Sequence, residues 1–152
     1  MNRTGIGICV RDDDGAFVLA KTLSFKVVHS INVGEALGLY YAFEWLSDMQ
    51  LDHVNFGTDS KTTHDAFHSR KVDNFEFGQI ISACQSLFST HFTNSRVEFI
   101  RRQTNEVAHA LAGEATLLDS PVTYFNPPRL LTISFLMKFY SHFLLKKKGS
   151  NM

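Results

Sequence analysis

The apolar residues of this chain change period between residues 10 and 39, and that change limits the possible folds more than any other feature. Ile6, Ile8 and Val10 alternate with Gly7 and Cys9, the period of a strand with one buried face. Asp12-Asp13-Asp14-Gly15 then supplies turn chemistry before Phe17, Val18 and Leu19 resume an apolar run, which predicts a β-hairpin. Leu39, Ala42, Phe43 and Leu46 instead recur at spacings of three and four, which predicts a helix capped at Asn32 or at Ser30. A chain that uses both periods in its first third is expected to lay helices on a mixed sheet.

The rest of the chain continues in the same vein. Val54 to Thr58 reads as a short strand, and Lys61 to His68 as a helix. After a polar break at 69–74, Phe77 to Phe88 forms a second helical piece with Ile80, Ile81, Cys84, Leu87 and Phe88 on one side. Ser95 to Arg101 alternates as a strand with one wetter face. From Asn105 a helix carries Ala108, Leu111, Ala115 and Leu118 on one stripe, and Pro121 and Pro127-Pro128 end regular structure. The order is hairpin, helix, strand, helices, strand, helix, with no internal repeat. At 152 residues the chain suits one compact domain with a single core.

Fifteen Lys and Arg balance fifteen Asp and Glu, so no global field draws the protein to nucleic acid and any such binding must come from local patches. Cys9 and Cys84 have neither metal-ligand spacing nor a disulfide framework; both read as small core residues, which suits a reducing intracellular compartment without choosing nucleus or cytoplasm. Residues 1–7 hold no secretory core. Leu130 to Leu145 is strongly apolar but short for a membrane span and broken by Lys138 and His142. The Lys146-Lys147-Lys148 run behind it leaves a tail anchor as the minor reading.

Three places hold carboxylates that need an explanation. Asp12 to Asp14 read as a solvated turn rather than a cation site, because tight turns select Asp and Gly. Glu35 falls on the apolar stripe one turn before Leu39. It is either a hydrated helix end favoured by the helix dipole or a buried carboxylate with a ligand role. Asp59 follows a strand and precedes a helix, the place where open α/β sheets put ligands, and its bland alternative is N-capping by Asp59 or Ser60.

Three segments in this order and spacing resemble the reverse-transcriptase-like branch of ribonuclease H domains abundant in plants. Gly5-Ile6-Gly7-Ile8-Cys9-Val10-Arg11-Asp12, continuing through Gly15, is similar to the family's opening hairpin. Gly34-Glu35-Ala36-Leu37 and its helix, then Thr58-Asp59-Ser60, follow the same pattern. Val97 to Ala112, with Arg101-Arg102-Gln103-Thr104-Asn105-Glu106 and His109 within it, is similar to the last strand and helix, and Asn126-Pro127-Pro128 is similar to the segment that ends these domains. The resemblance runs from about residue 5 to 128.

The resemblance implies an α/β fold: a five-stranded mixed sheet flanked by helices, whose first three strands are antiparallel. It also implies metal-dependent hydrolysis of the RNA strand of an RNA–DNA hybrid at two Mg2+ ions held by four acidic side chains, with Mn2+ a possible substitute. Residue by residue, Glu35 and Asp59 match metal ligands and catalytic groups. His109 stands where the family has Asp or His, and Ser60, Arg102 and Asn105 fall at nucleic-acid contacts. A neutral imidazole is a poor Mg2+ ligand, so His109 orients product or water, or packs as a structural histidine.

The family's first aspartate has no match. It belongs to the middle of a central strand upstream of Gly5, where this chain offers only Met1, Asn2, Arg3 and Thr4. The expected domain is therefore residues 1–128 with that first, central strand missing or incomplete at the amino terminus. Residues 129–152 follow as an extension without family counterpart. The expected function is a retroelement-derived RNase H-type nucleic-acid-binding domain, acting on RNA–DNA hybrid or RNA, weak or inactive as a nuclease and needing no small-molecule cofactor. A non-catalytic nucleic-acid or protein interaction module is the alternative, with Arg96, Arg101 and Arg102 as phosphate contacts.

Overall fold

A computed structural model describes residues 3–12, 17–27, 29–71, 75–101, 106–118, 120–124 and 140–147, with the backbone alone at 17, 107–109, 124 and 140–147. The expected hairpin forms as β1 (Thr4–Arg11) and β2 (Phe17–Phe25), antiparallel with Ile6 opposite Leu23 and Ile8 opposite Lys21. Helix α1 (Ile31–Asp48) follows, then β3 (Val54–Thr58), α2 (Lys61–Phe67) and α3 (Glu76–His91). The chain continues through β4 (Arg96–Phe99), α4 (Glu106–Ala115), β5 (Val122–Tyr124) and β6 (Tyr140–Lys147). Mixed α/β layering holds as expected.

Local chemistry explains the boundaries. Ser30 is the N-cap of α1, its hydroxyl accepting from Val33 N at 3.3 Å, so Ser30 takes the position rather than Asn32. Ser60 caps α2 in the same way, accepting from Thr63 N at 3.2 Å. Helix α3 runs one turn further than the apolar stripe suggested, to His91, because Phe92 behind it is fully buried and anchors the end. Pro121 does not end regular structure: Val122–Tyr124 pairs antiparallel with Ala20 to Thr22 as a short edge strand.

The sheet order is β4-β3-β6-β1-β2-β5. The place beside β1 that the sequence left without a strand is thus filled, and the occupant comes from the apolar segment near the carboxyl end. Strand β6 pairs parallel with β1 from Gly5↔Tyr140 to Arg11↔Lys146, and antiparallel with β3 from Val54↔Lys147 to Gly57↔Leu144. The resemblance implied an antiparallel neighbour at that place. Either direction satisfies the inward N–H and C=O groups of β1 and β3, and leaving them bare in the interior is the costly outcome.

Successive strand residues point to opposite faces. Ile6, Ile8 and Val10 join Leu39, Ala42, Phe43, Leu46, Phe56 and Phe92 in the main core beneath α1 and α3. An aromatic cluster closes it: Phe43 lies 4.7 Å from Phe56, 5.4 Å from Phe88 and 5.5 Å from Phe92, centroid to centroid. Such pairs add about 0.5–1.5 kcal/mol each beyond their area. Gly5 faces the other way, against α4; a Cβ there would stand 2.0 Å from the Ala112 carbonyl oxygen. Glycine is what lets α4 close on that face, so the sheet has α1 on one side and α4 on the other. Cys9 and Cys84 are both free and buried, as expected. Burial pushes the Cys84 thiol up to about 12 and raises Cys9, which leaves both thiols unreactive.

Candidate functional site

Strand register fixes which elements share an end of the sheet. β6 runs with β1 and against β3, so the start of β1 and the end of β3 lie at the same edge. At that edge the Thr4 hydroxyl donates to Val27 O at 2.9 Å and accepts from His29 N at 3.1 Å, tying β1 to the residues that lead into α1. The residues leading into α1 are thereby tied to the start of β1, while β3 ends at Thr58, one residue past the Gly57 that shares Leu144 with Cys9.

The two carboxylates differ in surroundings. Glu35 lies among Val33, Gly34, Ala36 and Leu39 on the inward side of α1 and is only 7% exposed. A hydrated helix end is thereby excluded. Burial of that depth makes the carboxylate a group the fold sustains at a cost, as functional sites do. Asp59 is half-buried directly after Thr58. The capping role falls to Ser60, whose hydroxyl also donates to Thr63 Oγ1 at 3.0 Å. That leaves Asp59 without the capping explanation and leaves Ser60, expected at nucleic acid, with its hydroxyl committed to the helix.

His109 lies on α4, one turn before the Ala112 that packs on Gly5, and its side chain is outside the described residues. Arg102 and Asn105 also lie outside them, as do Asp13 and Asp14. Of the other cationic candidates, Arg96 is engaged by Glu98 and by the Asn55 side-chain oxygen at 3.2 Å, and Arg101 is exposed. No weight fell on His64 and His68 in the sequence, although their i, i+4 spacing on a helix was a readable sign of a shared face.

Hard carboxylate oxygens are the donors Mg2+ prefers, and the residue types of Glu35 and Asp59 fit that ion. Their number does not complete a site: among the described residues no three His, Cys, Asp or Glu side chains form a group able to hold a metal. Nor is any helix among the described residues long and apolar enough to cross a membrane. The part of the apolar carboxyl-terminal segment that is described, from Tyr140, is strand rather than helix.

Comparison with known proteins agrees with this architecture. A family model described as reverse transcriptase-like matches residues 1–115. Among solved structures, the fold is similar to RNase H1 from the halophilic archaeon Halobacterium salinarum NRC-1. The TM-score is 0.67 at 24% identity, covering 74% of this chain and 84% of that one. No curated protein matches. A hairpin-first mixed sheet with this structural likeness is an RNase H-like fold, and with a family match across three quarters of its length the chain belongs to the reverse transcriptase-like family.

Proposed function

We propose that this chain is a nucleic-acid-binding ribonuclease domain directed at the RNA strand of RNA–DNA hybrids, and that it is weak or inactive as it stands. The observation that carries the reading is Glu35: a carboxylate 7% exposed on the inward side of α1, in a fold whose strand β3 is followed directly by Asp59. Glu35 and Asp59 are the proposed ligands of Mg2+, with Mn2+ as substitute. His109 is proposed to orient water or product, and Ser60, Arg102 and Asn105 to touch the nucleic acid. A divalent ion bound there would supply activated water and stabilise the leaving oxygen. The chain's own part is to hold two carboxylates in place and exclude bulk water from Glu35.

The domain boundary at residue 128 is part of the same reading, with 129–152 an extension that lends β6 to the sheet. Plant affiliation is likewise proposed from the motifs alone. The test is cleavage of a labelled hybrid by the full chain in Mg2+ and in Mn2+, beside Asp59→Asn. Slow cleavage abolished by the substitution supports the reading; cleavage indifferent to it overturns it.

A second reading is a non-catalytic module that keeps the fold to bind nucleic acid or protein, since only Glu35 and Asp59 match the acidic set that the resemblance implies. Hybrid binding without cleavage in either metal would select it.

A further inference from the structure

Helix α2 and its C-cap hold two histidines, His64 and His68, and neither belongs to the site above. His64 and His68 stand four residues apart, so both project from one side of the helix. Their ring centroids are 4.4 Å apart with planes inclined at 47°. The His64 side chain is 27% exposed and His68 is exposed. Solvent therefore reaches both rings, while Phe99 stands 6.3 Å from His64 as a wall on one side.

The hydrogen bonds decide which nitrogen of each ring is available. His64 Nδ1 lies 3.0 Å from Asp65 Oδ1, and His68 Nδ1 lies 2.7 Å from the His64 carbonyl oxygen. A carboxylate and a carbonyl accept and cannot donate, so each Nδ1 carries the proton in the neutral ring. Each Nε2 is then left with a bare lone pair. One imidazole backed by a carboxylate and another backed by a main-chain carbonyl is the arrangement that fixes the orientation of metal-ligating histidines. Lys61, three residues before His64, is drawn off by Asp65 at 3.5 Å, which reduces the repulsion an arriving ion would meet.

We propose that His64 and His68 form a two-imidazole site for a borderline divalent transition metal, zinc foremost, bound through both Nε2 atoms with water in the remaining positions. Tetrahedral zinc with Zn–N of about 2.0–2.1 Å places two ligand nitrogens roughly 3.3 Å apart. Ring centres 4.4 Å apart keep both imidazoles within reach of one ion. Imidazole selects zinc, copper and nickel over Mg2+, so the site is chemically orthogonal to the carboxylates Glu35 and Asp59 and does not depend on the nuclease reading.

The experiment is calorimetric titration of the full chain with zinc chloride and with nickel chloride in excess Mg2+. It is run on the wild type and on the His64→Gln, His68→Gln and His91→Gln variants, His91 being an exposed histidine at the end of α3. One ion per chain is expected, with affinity falling at least about tenfold in either of the first two variants and unchanged in the third. The chelate needs both rings, and even partners outside the first shell cost 10–100-fold. The same zinc addition should shift the ring signals of His64 and His68 in the NMR spectrum of the unaltered protein, a readout that does not depend on a variant folding. Full affinity surviving either substitution, or ring signals that zinc leaves in place, overturns the proposal.

Discussion

Cys9 of β1 and Gly57 of β3 share one register partner, Leu144, which lies between them on β6. Two stretches of chain far apart in sequence are thus joined through a strand from the carboxyl-terminal segment. Leu144→Pro should break that bridge: proline cannot donate to the ladder and is excluded from central strands. A drop in the urea midpoint is expected, with dye-detectable exposure of apolar strand edges. An unchanged midpoint would mean that β1 and β3 do not rely on β6.

At the opposite end of β3, the Ser95 hydroxyl donates to Asp52 Oδ1 at 2.6 Å and accepts from Val54 N at 2.9 Å, while the Asn94 side chain donates to Asp52 Oδ2 at 3.1 Å. Burial pushes the Asp52 carboxyl up, but bonds from Ser95, His53 N–H and Asn94 outweigh it and bring the group to about 2, below its ordinary 3.8. A depressed folded-state value means stabilisation present above the unfolded value and lost as pH falls through the folded one. Asp52→Asn should therefore lower stability at neutral pH, with the gap to wild type narrowing from about pH 4 to about 2. Denaturant titrations at both ends of that window check the sign.

Phe43 is fully buried and meets four other aromatic rings, the farthest being Phe67 at 5.7 Å. Phe43→Ala should cost about 3–5 kcal/mol, since the neighbouring rings cannot collapse into the space. Phe99→Ala, at a ring 49% exposed, should cost far less. Equal losses in chemical denaturation would mean that the core is not organised around Phe43.

Several of these features were legible in the sequence and others were not, for physical reasons. Val54–Thr58 was readable to the residue because a five-residue strand between turn chemistry and a Ser cap leaves little freedom. The buried side of α1 was readable too, whereas the fate of Glu35 was even on pattern alone, since a carboxylate near a helix start looks the same wet or dry. Tertiary packing decided it. Strand β6 was not readable: the apolar run ahead of the lysines has no clear period, and its pairing depends on an open place between β1 and β3 that only the assembled sheet reveals. The His64 and His68 pair was written in the spacing but became informative only when both Nδ1 atoms had partners.

Glu35→Gln separates the carboxylate's chemistry from its packing. The amide keeps shape while removing a charge that is costly to bury. The variant should fold with stability equal to or above wild type, and any hybrid cleavage should fall at least about a hundredfold, as when a group acting in the transition state is lost. Loss of stability with activity retained would assign Glu35 to structure.

The last prediction concerns activity and follows from counting donors. The family chemistry implied by the motifs sets four side chains around two divalent ions, whereas this chain offers Glu35, Asp59 and, from α4, His109. Two carboxylates leave most of the ions' charge unbalanced, so metal affinity should be low and hybrid cleavage at least about 10³-fold slower than in an intact relative. Mn2+ should restore more activity than Mg2+ where His109 takes part, because imidazole suits softer ions than Mg2+. A chain extended upstream by a strand bearing an aspartate would compete with β6 for the place between β1 and β3. If the added strand wins, it supplies an antiparallel neighbour and a further carboxylate together, and cleavage should rise with the fraction of chains in which β6 is displaced. Single-turnover assays on the extended chain, with and without Leu144→Pro to weaken β6, read this directly. Robust Mg2+-dependent cleavage by residues 1–152 alone, abolished by Asp59→Asn, would show that other side chains complete the site.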